Sequence, residues 1–151
     1  MPTNLYGPQD NFHLSHSHVI PGMMRKFHEA KMKQETSVTI WGSGKPMREF
    51  MHVDDLARAC LLLIRSEEHD GRLINLGSGQ EVTIFELALL MKEVVGFEGE
   101  VLTDPSKPDG TPRKLLNTAL LNKLGWRAKF NLEAGLEIAY KDFLNLKESR
   151  P

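Results

Sequence analysis

"VTIWGSGKPMREFMHVDDLA", residues 38–57, holds a strand, a turn, a second extended stretch and the start of a helix. The β-branched and aromatic side chains of residues 38–41 suit a pleated strand, and Gly42 and Gly44 stop it. "MREFMHV", residues 47–53, alternates polar and apolar side chains, which fits either a second strand or an extended loop. Asp54 or Asp55 then opens a helix whose apolar face runs through Ala57, Cys60, Leu61 and Ile64. Cys60 reads as inert packing on that face.

Downstream, "RLINLGSG" (72–79) reads as a compact apolar strand ending in glycines. The next helix is the best marked. Thr83 and Glu86 form a T-x-x-E capping box, in which each side chain satisfies a backbone N–H at the helix start. Ile84, Leu87, Met91 and Val94 line one face, and Gly96 ends it. "EVLTD" (100–104) is a short strand and "PSKPDGTPRK" (105–114) a loop. "NTALLNKLG" (117–125) is a short helix stopped at Gly125, and Asn131 caps a last helix through Leu132, Leu136, Tyr140 and Phe143. Upstream, "PTNLYGP" (2–8) looks like a buried strand ending in a turn. Pro21 sits in the first turn of a helix whose apolar stripe is Met23, Met24, Phe27 and Ala30. This order of elements makes a mixed α/β or α+β domain.

At 151 residues the chain has room for one domain with a real core. With 40% hydrophobic and 26% charged residues it has an ordinary globular composition. A net charge of -1 gives no electrostatic footprint for nucleic acid or an anionic membrane. No apolar run approaches the roughly 18 to 20 residues of a membrane span. A single cysteine rules out an internal disulfide and fits a reducing compartment, and "MPTNLYGPQD" lacks the regions of a signal peptide. The expected location is the cytoplasm. A strand at the first residues needs a neighbour to pair with, so the expectation is a chain that continues something larger.

Several motifs carry possible chemistry. Gly77 and Gly79 could open a phosphate loop, but a dinucleotide fingerprint needs a third glycine where Val82 stands. "GSGK" (42–45) lacks the spacing of a Walker loop, so plain turns are the reading in both places. "NFHLSHSHVIPG" (11–22) holds His13, His16 and His18, three of the six histidines. A metal site, a catalytic acid and a solvated loop all remain open for it, since zinc sites favour cysteines or helical histidine pairs while imidazole suits proton transfer. Arg48, and Arg113 with Lys114, sit near proline and glycine, where ordered cations bind phosphates or simply form surface ion pairs. Trp41 is either core or a face for stacking a base or sugar.

Together, "PTNLYGPQDNFH", "SHVIPGMMRKFHEAK", "VTIWGSGKPMREFMHVDDLA", "INLGSGQEVTIFELA", "SKPDGTPRKLLN" and "LGWRAKFNLEAGLEIAYKDFL" resemble the GDP-L-fucose synthases, within the extended short-chain dehydrogenases. "NLYGP" alone is shared by the wider group, whereas "SHVIP" with "KPDGTPRK" is specific. The resemblance implies a 1–151 substrate-binding domain with the last strands of a Rossmann-type sheet, corresponding to the second half of such an enzyme. The Gly-rich NADP loop and the Tyr-x-x-x-Lys pair belong to the first half. Tyr6 is followed four residues later by Asp10, and Tyr140 by Leu144.

Roles then transfer residue by residue. Pro2, Thr3, Asn4 and Leu5 match the strand end at the nicotinamide end of NADP, and His18 matches the acid/base histidine beside it. Lys26, Trp41, Arg48, Asp109 and Lys114 match substrate contacts, with Arg48 on the diphosphate and Lys26 where relatives often carry Arg. The resemblance assigns no metal, and no role to His13 or His16. It implies a GDP-sugar substrate, no nucleic-acid or membrane partner, a homodimer, and no turnover by this segment alone. Alternatives are a stand-alone nucleotide-sugar-binding or oligomerisation module, and an extended dehydrogenase for another nucleotide sugar.

Overall fold

The computed structural model describes residues 1–13, 16–66 and 71–148; Leu14 and Ser15 of the histidine-rich stretch lie outside them. Two small sheets are combined with five helices among these residues. Strand β1 (Asn4–Tyr6) pairs in parallel with β3 (Met47–His52), Asn4 opposite Phe50 and Tyr6 opposite His52. On β3, β4 (Glu81–Thr83) adds antiparallel and β6 (Arg113–Lys114) parallel. The second sheet is the parallel pair of β2 (Ser37–Trp41) and β5 (Glu100–Asp104). The "MREFMHV" stretch is therefore a strand, with three partners. The mixed α/β class with parallel pairing agrees with the sequence.

The helices are α1 (Val19–Met32), α2 (Val53–Arg65), α3 (Ile84–Val95), α4 (Ala119–Lys123) and α5 (Leu132–Glu148). Helix α3 has its capping box: Glu86 N–H donates to Thr83 Oγ1 at 3.0 Å, and Thr83 N–H to Glu86 Oε2 at 2.7 Å. Gly96 closes it at φ 70°, a left-handed turn that costs glycine no Cβ clash. Asn131 caps α5, accepting from Ala134 N–H at 2.8 Å. Helix α3 packs between α1 and α5, and Met24, Phe27, Leu87, Met91 and Leu136 are wholly buried there. A second, smaller cluster joins Met51, Ala59, Leu76, Leu121 and Trp126.

Four expectations change. Helix α2 begins at Val53, because buried His52 serves as its cap, accepting Asp54 N–H at 3.2 Å on Nδ1; Asp54 and Asp55 fill the first turn. Its Ala57–Cys60–Leu61–Ile64 stripe faces outward, and Cys60 is exposed rather than packed. The inward face carries Asp55 and Ala59 instead, with Leu56, Leu62 and Leu63 half-buried beside them. Residues 72–79 make no regular strand; Leu76 forms a single parallel bridge with Pro2. The 105–114 loop ends in β6, and β4 stands where glycine-rich text hid a strand. Both are too short to show periodicity.

Candidate functional site

Two neighbourhoods gather the residues singled out in the sequence. The first is a cavity of about 530 Å³ at the end of β1. Its polar wall holds Thr3, Asn4, Asp10 and His18, and its apolar floor includes Leu5 and Phe50. His18 is here for a local reason. Extended backbone at His18 precedes Pro21 in the first turn of α1, and the His18 carbonyl accepts Gly22 N–H at 3.0 Å. Its imidazole makes no capping bond and is exposed.

The strand end below is fixed by long-range bonds. Asn4 Nδ2 donates to the Glu49 carbonyl at 2.9 Å, and Thr3 Oγ1 to the same oxygen at 3.1 Å. Pro2 lies with Thr3, Asn4 and Lys114 around an adjoining cavity of about 410 Å³. Tyr6 turns inward, its hydroxyl donating to the Leu132 carbonyl at 3.4 Å. Burial, and the Asp55 carboxylate nearby, push its phenol well above the usual tyrosine range.

His13 and His16 stack on each other with ring centroids 5.0 Å apart, and neither lines the His18 cavity. Among the described residues, no group of three His, Cys, Asp or Glu side chains could hold a metal ion. Histidine 18 thus parts company with its two sequence neighbours.

The second neighbourhood surrounds the turn after β2. Asp109 reaches back from the 105–114 loop: its Oδ1 accepts Ser43 N–H at 2.8 Å and its Oδ2 accepts Ser43 Oγ–H at 2.7 Å. The Ser43 hydroxyl and N–H bonds, with Lys45 nearby, hold the Asp109 carboxyl below the usual range. Gly42 and Gly44 adopt positive φ at 77° and 74°, so "GSGK" is a turn held by Asp109. Trp41 is 74% exposed, which decides for a presented face over core, and the Lys107 ammonium lies 5.9 Å from its ring centroid. Lys26 Nζ donates to the Thr39 carbonyl on β2. Arg48 donates to the Met47 carbonyl at 2.7 Å, and its guanidinium lies against Gly110. Lys114 pairs with Arg48 in register across β6 and β3. Glu81 grips Arg113 through both carboxylate oxygens at 2.6 to 3.0 Å, so Arg113 is committed while Lys114 is exposed.

Sequence reasoning missed Glu49, Ser43 and Lys107. Ser43 and Lys107 carried no signal beyond lying in loops. Glu49 did carry one. It shares a strand face with Met47 and Met51, so an acid occupies an apolar phase.

A parallel strand end facing a half-polar cavity, beside basic loops and a presented indole, makes an α/β protein with its candidate site at a strand end. The profile of the NAD dependent epimerase/dehydratase family matches residues 1–77, and the chain belongs to that family. It is 57% identical over 145 residues to GDP-L-fucose synthase 1 of Arabidopsis thaliana, covering 95% of this chain and 44% of that one. It is 52% identical over 153 residues to GDP-L-fucose synthase of Escherichia coli (strain K12), covering 95% of this chain and 47% of that one. In three dimensions it matches a GDP-L-fucose synthetase from Naegleria fowleri bound to NADP, with TM-score 0.86 and 33% identity, over 98% of this chain and 46% of that one. The chain thus spans about half the length of the curated relatives it matches.

The volume of the His18 cavity falls within the roughly 300–1,000 Å³ of small-molecule sites, with an apolar floor under a polar rim.

Proposed function

We propose that this chain is the GDP-sugar-binding portion of a GDP-L-fucose synthase. Such an enzyme converts GDP-4-keto-6-deoxy-D-mannose to GDP-L-fucose by 3,5-epimerisation and 4-keto reduction. The single observation that carries the reading is the convergence of His18 with Thr3, Asn4 and Leu5 on one cavity. Identity to GDP-L-fucose synthases over nearly the whole chain supports the choice of sugar nucleotide.

The 4-keto group acidifies the protons at C3 and C5, and a base in the part of such enzymes that this chain does not span would take each, leaving an enolate. His18, as imidazolium, donates a proton to the opposite face of that carbon. Exposure of the ring to the cavity allows both delivery and reloading from solvent. Thr3, Asn4 and Leu5 would hold the nicotinamide end of NADPH, which when bound supplies the hydride for C4, while the tyrosine of the part that this chain does not span would supply the proton for the oxygen. Arg48 pairs with the diphosphate, Lys114 and Lys26 add positive charge, and Trp41 offers its face to the nucleotide. Asp109 holds the Ser43 turn that follows Trp41. Anchoring at the diphosphate positions the distant sugar carbons, which can supply several kcal/mol.

In this reading most NADP contacts come from the part of such enzymes that this chain does not span, the enzyme is a cytoplasmic homodimer, and the 151-residue chain alone has no turnover. NADPH consumption scaling with the purified chain would refute the last point. A single monomeric species in light scattering at micromolar concentration would count against the dimer.

The decisive experiment substitutes His18→Gln in a complete enzyme carrying this segment. Solvent deuterium incorporation at C3 and C5, and fucose formation, should both fall about a hundredfold or more. His13→Gln and His16→Gln should cost little. Equal losses at all three positions, with bound metal by elemental analysis, would overturn the acid assignment.

A further inference from the structure

Behind the basic residues lies a carboxylate that the proposed chemistry does not use. Glu49 is wholly buried at 0% exposure, in the middle of β3. Among the ion pairs of the described residues none involves it. Its partners are backbone N–H groups from two distant segments. Gly79 N–H donates to Oε1 at 2.7 Å, and Leu116 N–H to Oε2 at 3.2 Å. The space is closed: a Cβ on Gly77 would lie 2.4 Å from Oε1, so only glycine admits the carboxylate there.

The two amides lie at informative places. Gly79 leads into β4, whose Glu81 grips Arg113, and Leu116 follows β6, which carries Arg113 and Lys114. Strands β4 and β6 both pair with β3 alongside Arg48. One carboxylate therefore ties together the loops beside the two basic side chains, Arg48 and Lys114. Burying it with two amide donors satisfies both oxygens, whereas a carboxamide could satisfy only one and would set an NH2 donor against the other N–H.

The geometry points to Glu49 as the positioning residue for diphosphate recognition, acting through Arg48 and Lys114. This rests on the GDP-sugar reading and adds a determinant to it. Glu49 itself touches no substrate. It sets the spacing of the cations that do, and spacing matters most to a ligand with two phosphates.

The test is calorimetric titration of a complete enzyme carrying this segment with GDP and with GMP, as wild type, Glu49→Gln, Arg48→Gln and the double variant. Thermal unfolding followed alongside establishes that each variant folds. Glu49→Gln should weaken GDP by about tenfold, the scale of a misplaced charge-assisted hydrogen bond, and GMP much less. In the Arg48→Gln background the same change should add less than it costs alone, because one of the two cations through which it acts is gone. Glu49→Asp, which keeps the charge but reaches one amide, should give an intermediate loss; it decides the matter if Glu49→Gln does not unfold cooperatively. A folded variant with an unchanged GDP-to-GMP ratio, or full additivity with Arg48→Gln, overturns the assignment while leaving the GDP-sugar reading intact. No GDP binding by the wild-type enzyme overturns both. Failure of both Glu49 variants to fold marks Glu49 as a folding determinant and also overturns the assignment.

Discussion

Helices α2 and α3 look alike in sequence and meet opposite fates. Each follows a strand on β3's sheet, opens on a side-chain cap and carries an apolar stripe at helical spacing. In α3 that stripe is swallowed between α1 and α5, with Leu87 and Met91 at 0% exposure. In α2 the stripe faces out, with Leu61 53% and Ile64 79% exposed, and the helix is held from its other side by Asp55. That carboxylate accepts Lys129 N–H and Phe130 N–H at 3.0 Å and pairs with Arg58 at 2.7 Å. Periodicity marks an apolar stripe and does not say whether another element covers it. The covered face of α2 is the one that carries Asp55 among Leu56, Ala59, Leu62 and Leu63, and hydrogen bonds to that buried carboxylate help to fasten it.

The comparison would break most visibly at Leu87. Leu87→Ala should destabilise folding by about 3 kcal/mol in denaturant titrations, through lost transfer energy and the cavity left behind. A cost no larger than that of a change at Leu61 would mean that α3 is not the packed helix of the pair. Asp55→Ala should come next, at about 2 kcal/mol, because two amides of the 129–130 segment lose a buried acceptor. If it proves neutral, α2 is not fastened through Asp55.

The two caps differ in a way that pH can expose. Thr83→Ala should cost about 1 kcal/mol at any pH near neutrality. At the α2 cap, burial lowers the His52 pKa below the ordinary histidine value of 6.5, against the opposing pull of Asp54 and Asp55. The unfolded chain therefore binds more protons in the window below pH 6.5, so the His52 contribution is present above it and is lost as pH falls through the folded pKa. Stability measured from pH 7.5 down to 5 should decline, and His52→Asn, which retains a capping oxygen, should flatten that decline. A rise in stability towards acid would reverse the assignment. Smallest of all, Ile64→Gln should shift stability by no more than about 0.5 kcal/mol.

What the sequence determined by itself is the part of the structure written in short spacings. The Thr83–Glu86 box, the Gly96 stop, the Asn131 cap and the stripes of α1, α3 and α5 depend on residues three and four apart, which any window of the chain displays. The motif text likewise singled out His18, Thr3, Asn4 and Leu5, which share a cavity. Tertiary structure alone decided the rest. Strands β4 and β6, three and two residues long, exist because β3 offers edges to pair with, and so leave no pattern of their own. The separation of His18 from His13 and His16 follows from where α1 starts and what β1 presents to it. The sequence sets Asp55 at a helix start and Glu49 in an apolar strand phase, but only the fold brings segments 30 and 67 residues from Glu49, and 74 and 75 from Asp55, to deliver their amides. A buried carboxylate is stable only when such donors arrive from elsewhere in the fold, and no local spacing encodes their arrival.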